Sequence, residues 1–368
     1  MPKTAAEIHR DAIVVVGHSD IIASDVDWRR ESGNRGVLDK RHLSTLKKGG
    51  VTVFCDHIGG DAPYGYLPAT QLCTNYLQRF MRALDHTYGE LAESTSFILA
   101  TTTEDIRRAK RENKVAVVIC LEGASPLETE LAYLRNFYRL GLRCLGLTHD
   151  VRNSLGDGIR ERNAGGLTHF GVSVVEECNK LGIVVDVSHL SDKGTEDVLE
   201  VSKHPIVASH SNARALCAHP RNLPDHLIRD IARGGGMVAF HALNAFISTD
   251  PQPTLDQLLR HIAHIAEIGG TDCIGIGPDL MENWDPTVFT AVAARSSRVN
   301  GIPVGKLDWQ YPEGIRSNAE LLNLTAALLR VGFSEADVVK FLGGNWMRVF
   351  DTVWKAAPKN SAKSIARR

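Results

Sequence analysis

The chain has 368 residues, 43% hydrophobic and 23% charged, and its 42 basic and 43 acidic side chains leave a net charge of −1. That balance excludes the electrostatic footprint of a nucleic-acid or anionic-membrane binder. No apolar run approaches the roughly 20 residues needed to span a bilayer, and the length admits either two average domains or one large α/β barrel.

At the N-terminus, Glu7, His9, Arg10 and Asp11 precede a short apolar run that soon meets polar residues, which is not the pattern of a secretory signal. The seven cysteines are scattered, with no C-x-x-C. Cys120, Cys144 and Cys273 lie inside strand-like runs and are expected to pack as small apolar groups. These features predict a reducing, cytoplasmic setting.

Short β-branched runs then recur along the chain: Ile13–Val16, Val51–Cys55, Val115–Leu121, Cys144–Leu147, Ile183–Val187, Ile206–Ala208, Met237–Phe240 and Cys273–Ile276. Helical spacing falls between them, at Lys40–Lys48, Thr70–Tyr88, Thr103–Asn113, Leu127–Leu140, Gly171–Leu181, Thr195–Val201, Asp225–Arg233 and Thr254–Ile268. Buried-type strands alternating with helices predict an α/β fold, a closed (β/α)8 TIM-type barrel. A doubly wound open sheet is the alternative, disfavoured by the lack of a Gly-x-Gly-x-x-Gly turn after the first strand. Residues 1–354 are expected to form a single catalytic domain. The long loop 281–317, rich in Pro, Gly and Trp, is a candidate wall of the substrate pocket. Helical pieces at Asn318–Val331, Ser334–Leu342 and Gly343–Trp354 would finish the outer ring, and the basic tail 355–368 reads as a frayed terminus.

The strand ends carry the chemistry. The first run leads into Gly17-His18-Ser19-Asp20, where residues two apart share a face, so His18 and Asp20 can serve one metal. The third ends in Glu122, the fourth in His149-Asp150, the fifth in Ser188-His189, the sixth in Ser209-His210 and the eighth in Asp279. Period two puts Val14 and Val16 on the face of His18, Val118 and Cys120 on that of Glu122, and Val185 and Val187 on that of His189. Gly275 and Gly277 share the face of Asp279 and would leave room inside the barrel. A single strand-end histidine is as readily a hydrogen-bonded structural residue, and a lone carboxylate a helix N-cap. Neither explains ionisable groups at most of the strand ends at once, since burying them together is costly unless cations neutralise the acids. Imidazole and carboxylate without thiolate suit Zn, Mn, Fe, Co or Ni. The number of ligands suggests two metals sharing Glu122.

GHSD at 17–20, LEG at 121–123, THD at 148–150, DVSH at 186–189, SHSNARALCAHPRNLPD at 209–225 and GIGPD at 275–279 together resemble the membrane dipeptidase (renal dipeptidase) family. The resemblance runs in order from about Asp11 to Asp351. It implies a (β/α)8 barrel with two zinc ions, the first held by His18 and Asp20, the second by His189 and His210, and both by Glu122. A metal-bridging hydroxide would attack a dipeptide's amide bond, Asp279 would act as acid and base, and His149 would contact the substrate near the scissile carbonyl. Arg221 would pair with the dipeptide's C-terminal carboxylate, a role that the residues alone, which read it as a surface arginine in a turn-rich segment, do not suggest. The partner would be a small dipeptide, with no nucleic acid or membrane, and the family implies a homodimer.

The chain also departs from the family. Ser19 stands between the first two ligands. His241 follows Phe240 where tyrosine is expected, at the border of the substrate pocket. Asp279 is followed by Leu280-Met281-Glu282, so that the family's second acid is lost. Asp56 and His57 carry no assignment, and His261 and His264, one helical turn apart, are expected to pack or lie on the surface. Two other readings stay open: an amidohydrolase acting on a non-peptide amide, lactam or natural-product intermediate, and a catalytically silent metal-binding protein.

Overall fold

The computed structural model describes residues 3–61, 75–250, 252–284 and 311–355. Within them, parallel strands form one sheet: β1 (Val15–Ser19), β2 (Val53–Gly60), β3 (Phe97–Leu99), β4 (Val115–Glu122), β5 (Leu142–Gly146), β6 (Val184–Asp186), β7 (Val207–Ala208), β8 (Met237–Phe240) and β9 (Ile274–Ile276). The order is β1-β2-β4-β5-β6-β7-β8-β9, and β9 returns beside β1. This is the nearly closed eight-stranded α/β barrel that the alternating runs predict, with all strand C-termini at one end. Among the described residues the ladders run from β1–β2 to β8–β9, and none joins β9 to β1.

β3 was not expected. It pairs with Val115–Val117 at the start of β4, on the edge that β5 takes over from Ile119 onward. The predicted helices form behind capped starts. Thr168 accepts from Gly171 N–H, Ser191 from Gly194 N–H, and Thr254 and Gln257 close a capping box. The helix expected at Thr70–Tyr88 runs Tyr76–Glu93 behind an Asn75 cap, and residues 70–74 lie outside the described residues. So do 285–310 of the proposed pocket loop and 356–368 of the basic tail. No described helix is long and apolar enough to cross a membrane.

Strand side chains divide by parity into two shells. Val15, Val53, Cys55, Val118, Cys120, Cys144, Val184, Val207 and Met237 form the inner one, while Val14, Val16, Phe54, Ile119, Leu145, Val185 and Val238 face the helices. The last helix, Asn345–Trp354, does not join the outer ring as expected. It crosses the lower end of the barrel, where Asn345 donates to Ile274 O, Arg348 to Asp272 O and Trp354 to Arg143 O. Its Trp346 indole enters the barrel between β1 and β9 and donates to Ile276 O. A Cβ at Gly17 would stand 2.0 Å from that ring, and one at Gly275 2.8 Å from its Nε1. The room expected at Gly275 is therefore filled by Trp346 and Met237, and that at Gly277 by the Ser209 carbonyl.

Candidate metal centre

Glu122 reaches the site by regular strand geometry, since β4 is extended to its end and Val118 and Cys120 below it are inner-shell residues. His18 and His189 do not. Val14, Val16, Val185 and Val187 all belong to the outer shell, so simple alternation would turn both imidazoles outward. The register of β1 on β2 shifts between Val16 and Ser19, and this turns His18 inward. His189 lies beyond the end of β6 with φ 66°, and Asp279, beyond β9, has φ 54°. Left-handed backbone at a residue bearing a Cβ costs roughly 1–2 kcal/mol, and here it aims two side chains into the barrel mouth.

The groups converge on Glu122. Its Oε1 lies 3.0 Å from His189 Nε2, 3.5 Å from His210 Nε2 and 3.6 Å from His18 Nε2. His18 Nε2 is also 3.6 Å from Asp20 Oδ1 and 3.7 Å from Asp279 Oδ1. His149 stacks on His189 with centroids 4.1 Å apart, and its Nε2 is 3.9 Å from Glu122 Oε2. Every one of these side chains is buried or nearly so.

The donor set fits metal ions. His189 Nδ1 bonds Asp150 Oδ1 at 2.8 Å, which leaves its Nε2 as a lone pair. His210 Nδ1 lies 2.8 Å from Ser209 Oγ, whose own proton goes to Asp186 Oδ2, so His210 Nε2 is a lone pair as well. These two nitrogens face each other at 2.9 Å. Burial, with the potential of neighbouring histidines and, for His189 and His210, of Arg221, holds His18, His189 and His210 well below the ordinary imidazole pKa, in the neutral form that ligates. Burial first, then Asp20 and Asp279, pushes Glu122 well above the usual carboxylate range. His18 Nε2 and Glu122 Oε2 are buried without a hydrogen-bond partner. Opposed lone pairs, clustered acids and unpartnered ligand atoms are all relieved by cations.

A surrounding shell of partners went unread in the sequence. Asp150 and the Asp186–Ser209 pair orient the two histidines of the expected second metal. Asp150 stands next to His149, Asp186 three residues before His189 and Ser209 one before His210, so the signal was present but indistinguishable from turn chemistry. Asp56 accepts from Ser19 Oγ and Ile22 N–H at 3.1 Å each and so fixes the end of β1, with burial raising its pKa to about 8. Tyr311 Oη donates to the Asp279 carbonyl and accepts from Met281 N–H.

Arg221 is buried, not on the surface. It donates to His210 O at 3.0 Å and lies over the Phe246 ring, and its Nε has no hydrogen-bond partner. His241 Nδ1 accepts from Leu243 N–H, so its Nε2 carries the proton and faces Asp279 Oδ2 at 3.2 Å. Glu282 turns away, accepting from Ser317 Oγ and from Asn318, and does not replace the missing second acid. His261 packs against Ala213 N–H and Ile247 O, and His264 pairs with Asp225, as expected of structural residues.

The family model of membrane dipeptidases (peptidase family M19) matches residues 3–285. Dipeptidase verJ of Clonostachys rogersoniana is 30% identical over 264 residues, which are 71% of this chain and 61% of that relative's own length. The solved amidohydrolase from Pseudomonas aeruginosa is 28% identical with a TM-score of 0.81, covering 96% of this chain and 100% of that one. A metallo peptidase from Rhodobacter sphaeroides, solved with a phosphinate mimic of the dipeptide L-Ala-D-Ala, is 26% identical with a TM-score of 0.76, covering 94% and 100%.

Proposed function

The chain belongs to the membrane dipeptidase family, whose members are metal-dependent hydrolases, and from that premise we propose that it cleaves the amide bond of dipeptides at a two-metal centre. The observation that carries this reading is the approach of three neutral imidazole nitrogens to one oxygen of Glu122, within 3.0 to 3.6 Å. His18 and Asp20 would hold one ion, His189 and His210 the other, and Glu122 both; two Zn2+ match the ligand chemistry. Bound there, the metals supply Lewis acidity toward the amide carbonyl and toward water.

The chain's own residues do the rest. Asp279 takes the proton of the attacking water and passes it to the leaving amine, with its free Oδ1 turned toward His18 and its Oδ2 held by His241. Arg221, with an unpartnered buried Nε, offers its charge to the substrate's carboxylate, and Phe246 beneath it limits where that carboxylate can sit. His149, partly exposed above His189, would hydrogen-bond the carbonyl oxygen as negative charge develops on it. His241 borders the substrate through Asp279.

The test is a screen of L,L- and L,D-dipeptides with metal-reconstituted protein. The L,D arm is included because the Rhodobacter relative was solved with an L-Ala-D-Ala mimic. Release of free amino acids from either set is expected. Hydrolysis of neither, with lactams or other non-peptide amides turned over instead, would replace this reading with an amidohydrolase one.

A further inference from the structure

We propose that His57, Cys120 and Cys144 form a further metal position, sealed inside the barrel one rung below Glu122 and suited to a thiophilic divalent ion such as Zn2+. The three residues are neighbours across three successive strands: His57 pairs in register with Cys120, and Cys120 with Cys144. All three point inward and are buried, and their ligand atoms lie within 4.8 Å of one another. An ion with Zn–S distances near 2.3 Å and a Zn–N distance near 2.0 Å would hold these atoms roughly 3.5–4 Å apart.

The cysteines alone would be ordinary small packing residues. The observation that separates a site from packing is His57. Its ring is fully buried, and neither Nδ1 nor Nε2 has a hydrogen-bond partner. The backbone of Cys55 and of Ser19 lies beside the ring, and the Asp186 carboxylate is 3.9 Å from Nε2. An imidazole with no partner for either nitrogen is costly in an apolar interior, and a metal ion satisfies its lone pair.

Two alternatives for that lone pair are weaker. His57 also stacks on His18, with Asp186 close by, but His18 Nε2 faces Glu122 and Asp279. The Asp186 carboxylate already accepts from Ser188 N–H, Ser209 N–H and Ser209 Oγ. The thiols are committed only to one another, to Cys55 and to backbone, with Cys120 Sγ 3.6 Å from the Val118 carbonyl, and a metal ion replaces such weak S–H contacts by bonds to thiolate. Binding a divalent ion releases the two S–H protons to solvent and leaves two thiolates, one neutral imidazole and M2+. That unit has no net charge, which lowers the cost of burying it.

The experiment uses the full chain reconstituted with Co2+ alone. A thiolate-to-cobalt charge-transfer band in the near ultraviolet is expected, because the imidazole–carboxylate centre above contains no sulfur. The wild type should also bind one more cobalt ion per chain than the Cys120→Ala/Cys144→Ala double variant, whatever the number held at the barrel mouth. Failure of the two-metal reading therefore leaves this difference intact. Should the double variant not fold, X-ray absorption at the zinc edge of the wild-type protein decides, since sulfur scattering is expected. Absence of the band, equal cobalt content in wild type and variant, or nitrogen and oxygen scatterers alone would each overturn the proposal.

Discussion

His241 donates its Nε2–H to Asp279 Oδ2 across 3.2 Å, its tautomer fixed by Leu243 N–H on Nδ1. Burial raises the Asp279 pKa, and this hydrogen bond, with the potential of His18, more than offsets it, so that the carboxyl ionises below its ordinary value. Replacing His241 by Phe leaves the burial and removes the donor. The Asp279 pKa then rises, and a group that must be ionised to accept a proton is lost at higher pH. The acid limb of the kcat/KM profile should move upward in His241→Phe and partly return in His241→Gln. An unmoved limb would take Asp279 out of the proton-transfer role.

Asp279→Asn should retain the bound metals and lose turnover by roughly 10²–10⁴, the usual contribution of a positioned acid–base group. Metal analysis alongside steady-state rates checks both halves. Loss of metal in this variant would make Asp279 a ligand instead, consistent with its 3.7 Å approach to His18.

Asp150 holds His189 Nδ1 at 2.8 Å without facing the metal position itself. Asp150→Ala should weaken affinity for one of the two ions by about 10–100-fold, as removal of such orienting partners does. Competition with a chromophoric chelator measures this, and two unchanged affinities would make Asp150 a bystander.

Arg221→Ala should cost roughly 2–5 kcal/mol in kcat/KM on dipeptides with a free C-terminal carboxylate, the range for removing one partner of a desolvated charge pair. A carboxyl-blocked analogue should be affected far less. Equal losses on both substrates would assign Arg221 to holding His210 through its carbonyl, at 3.0 Å, and not to the ligand.

Gly17→Ala places a methyl 2.0 Å from the Trp346 ring. Overpacking of this kind costs about 1–3 kcal/mol, so the urea midpoint should fall without a change in slope. An unchanged midpoint would mean that the indole can withdraw.

The barrel was legible because many short β-branched runs separated by helical spacing leave few other arrangements. β3 escaped because Phe97–Leu99 is too short to show a period and lies between a serine turn and the Thr102–Asp105 capping box. Alternation puts Glu122 on the inner face, where β4, extended to its last residue, also puts it. For His18 and His189, alternation from the residues below would point the side chains outward, and the structure turns them inward. A register shift and a left-handed residue lie between their strands and their side chains, and neither is written in side-chain periodicity. Asp150, Asp186 and Ser209 were invisible for a related reason: a carboxylate that orients a ligand and one that closes a turn have the same local sequence. Arg221 is the reverse case, a residue that looks like turn surface until the long-range contact with His210 buries it.

The seam between β1 and β9 bears on when the site comes into being. His18 stands on one side of it and Asp279 on the other, 3.7 Å apart at their tips, and among the described residues no ladder hydrogen bond fixes that spacing. What closes the seam is the indole of Trp346, on a helix that begins at Asn345. During synthesis, every proposed ligand and the proposed acid–base residue emerge from the ribosome well before the wedge at this seam. A nascent chain halted before that helix would carry the complete set of chemical groups and still lack the junction that brings them to working distance.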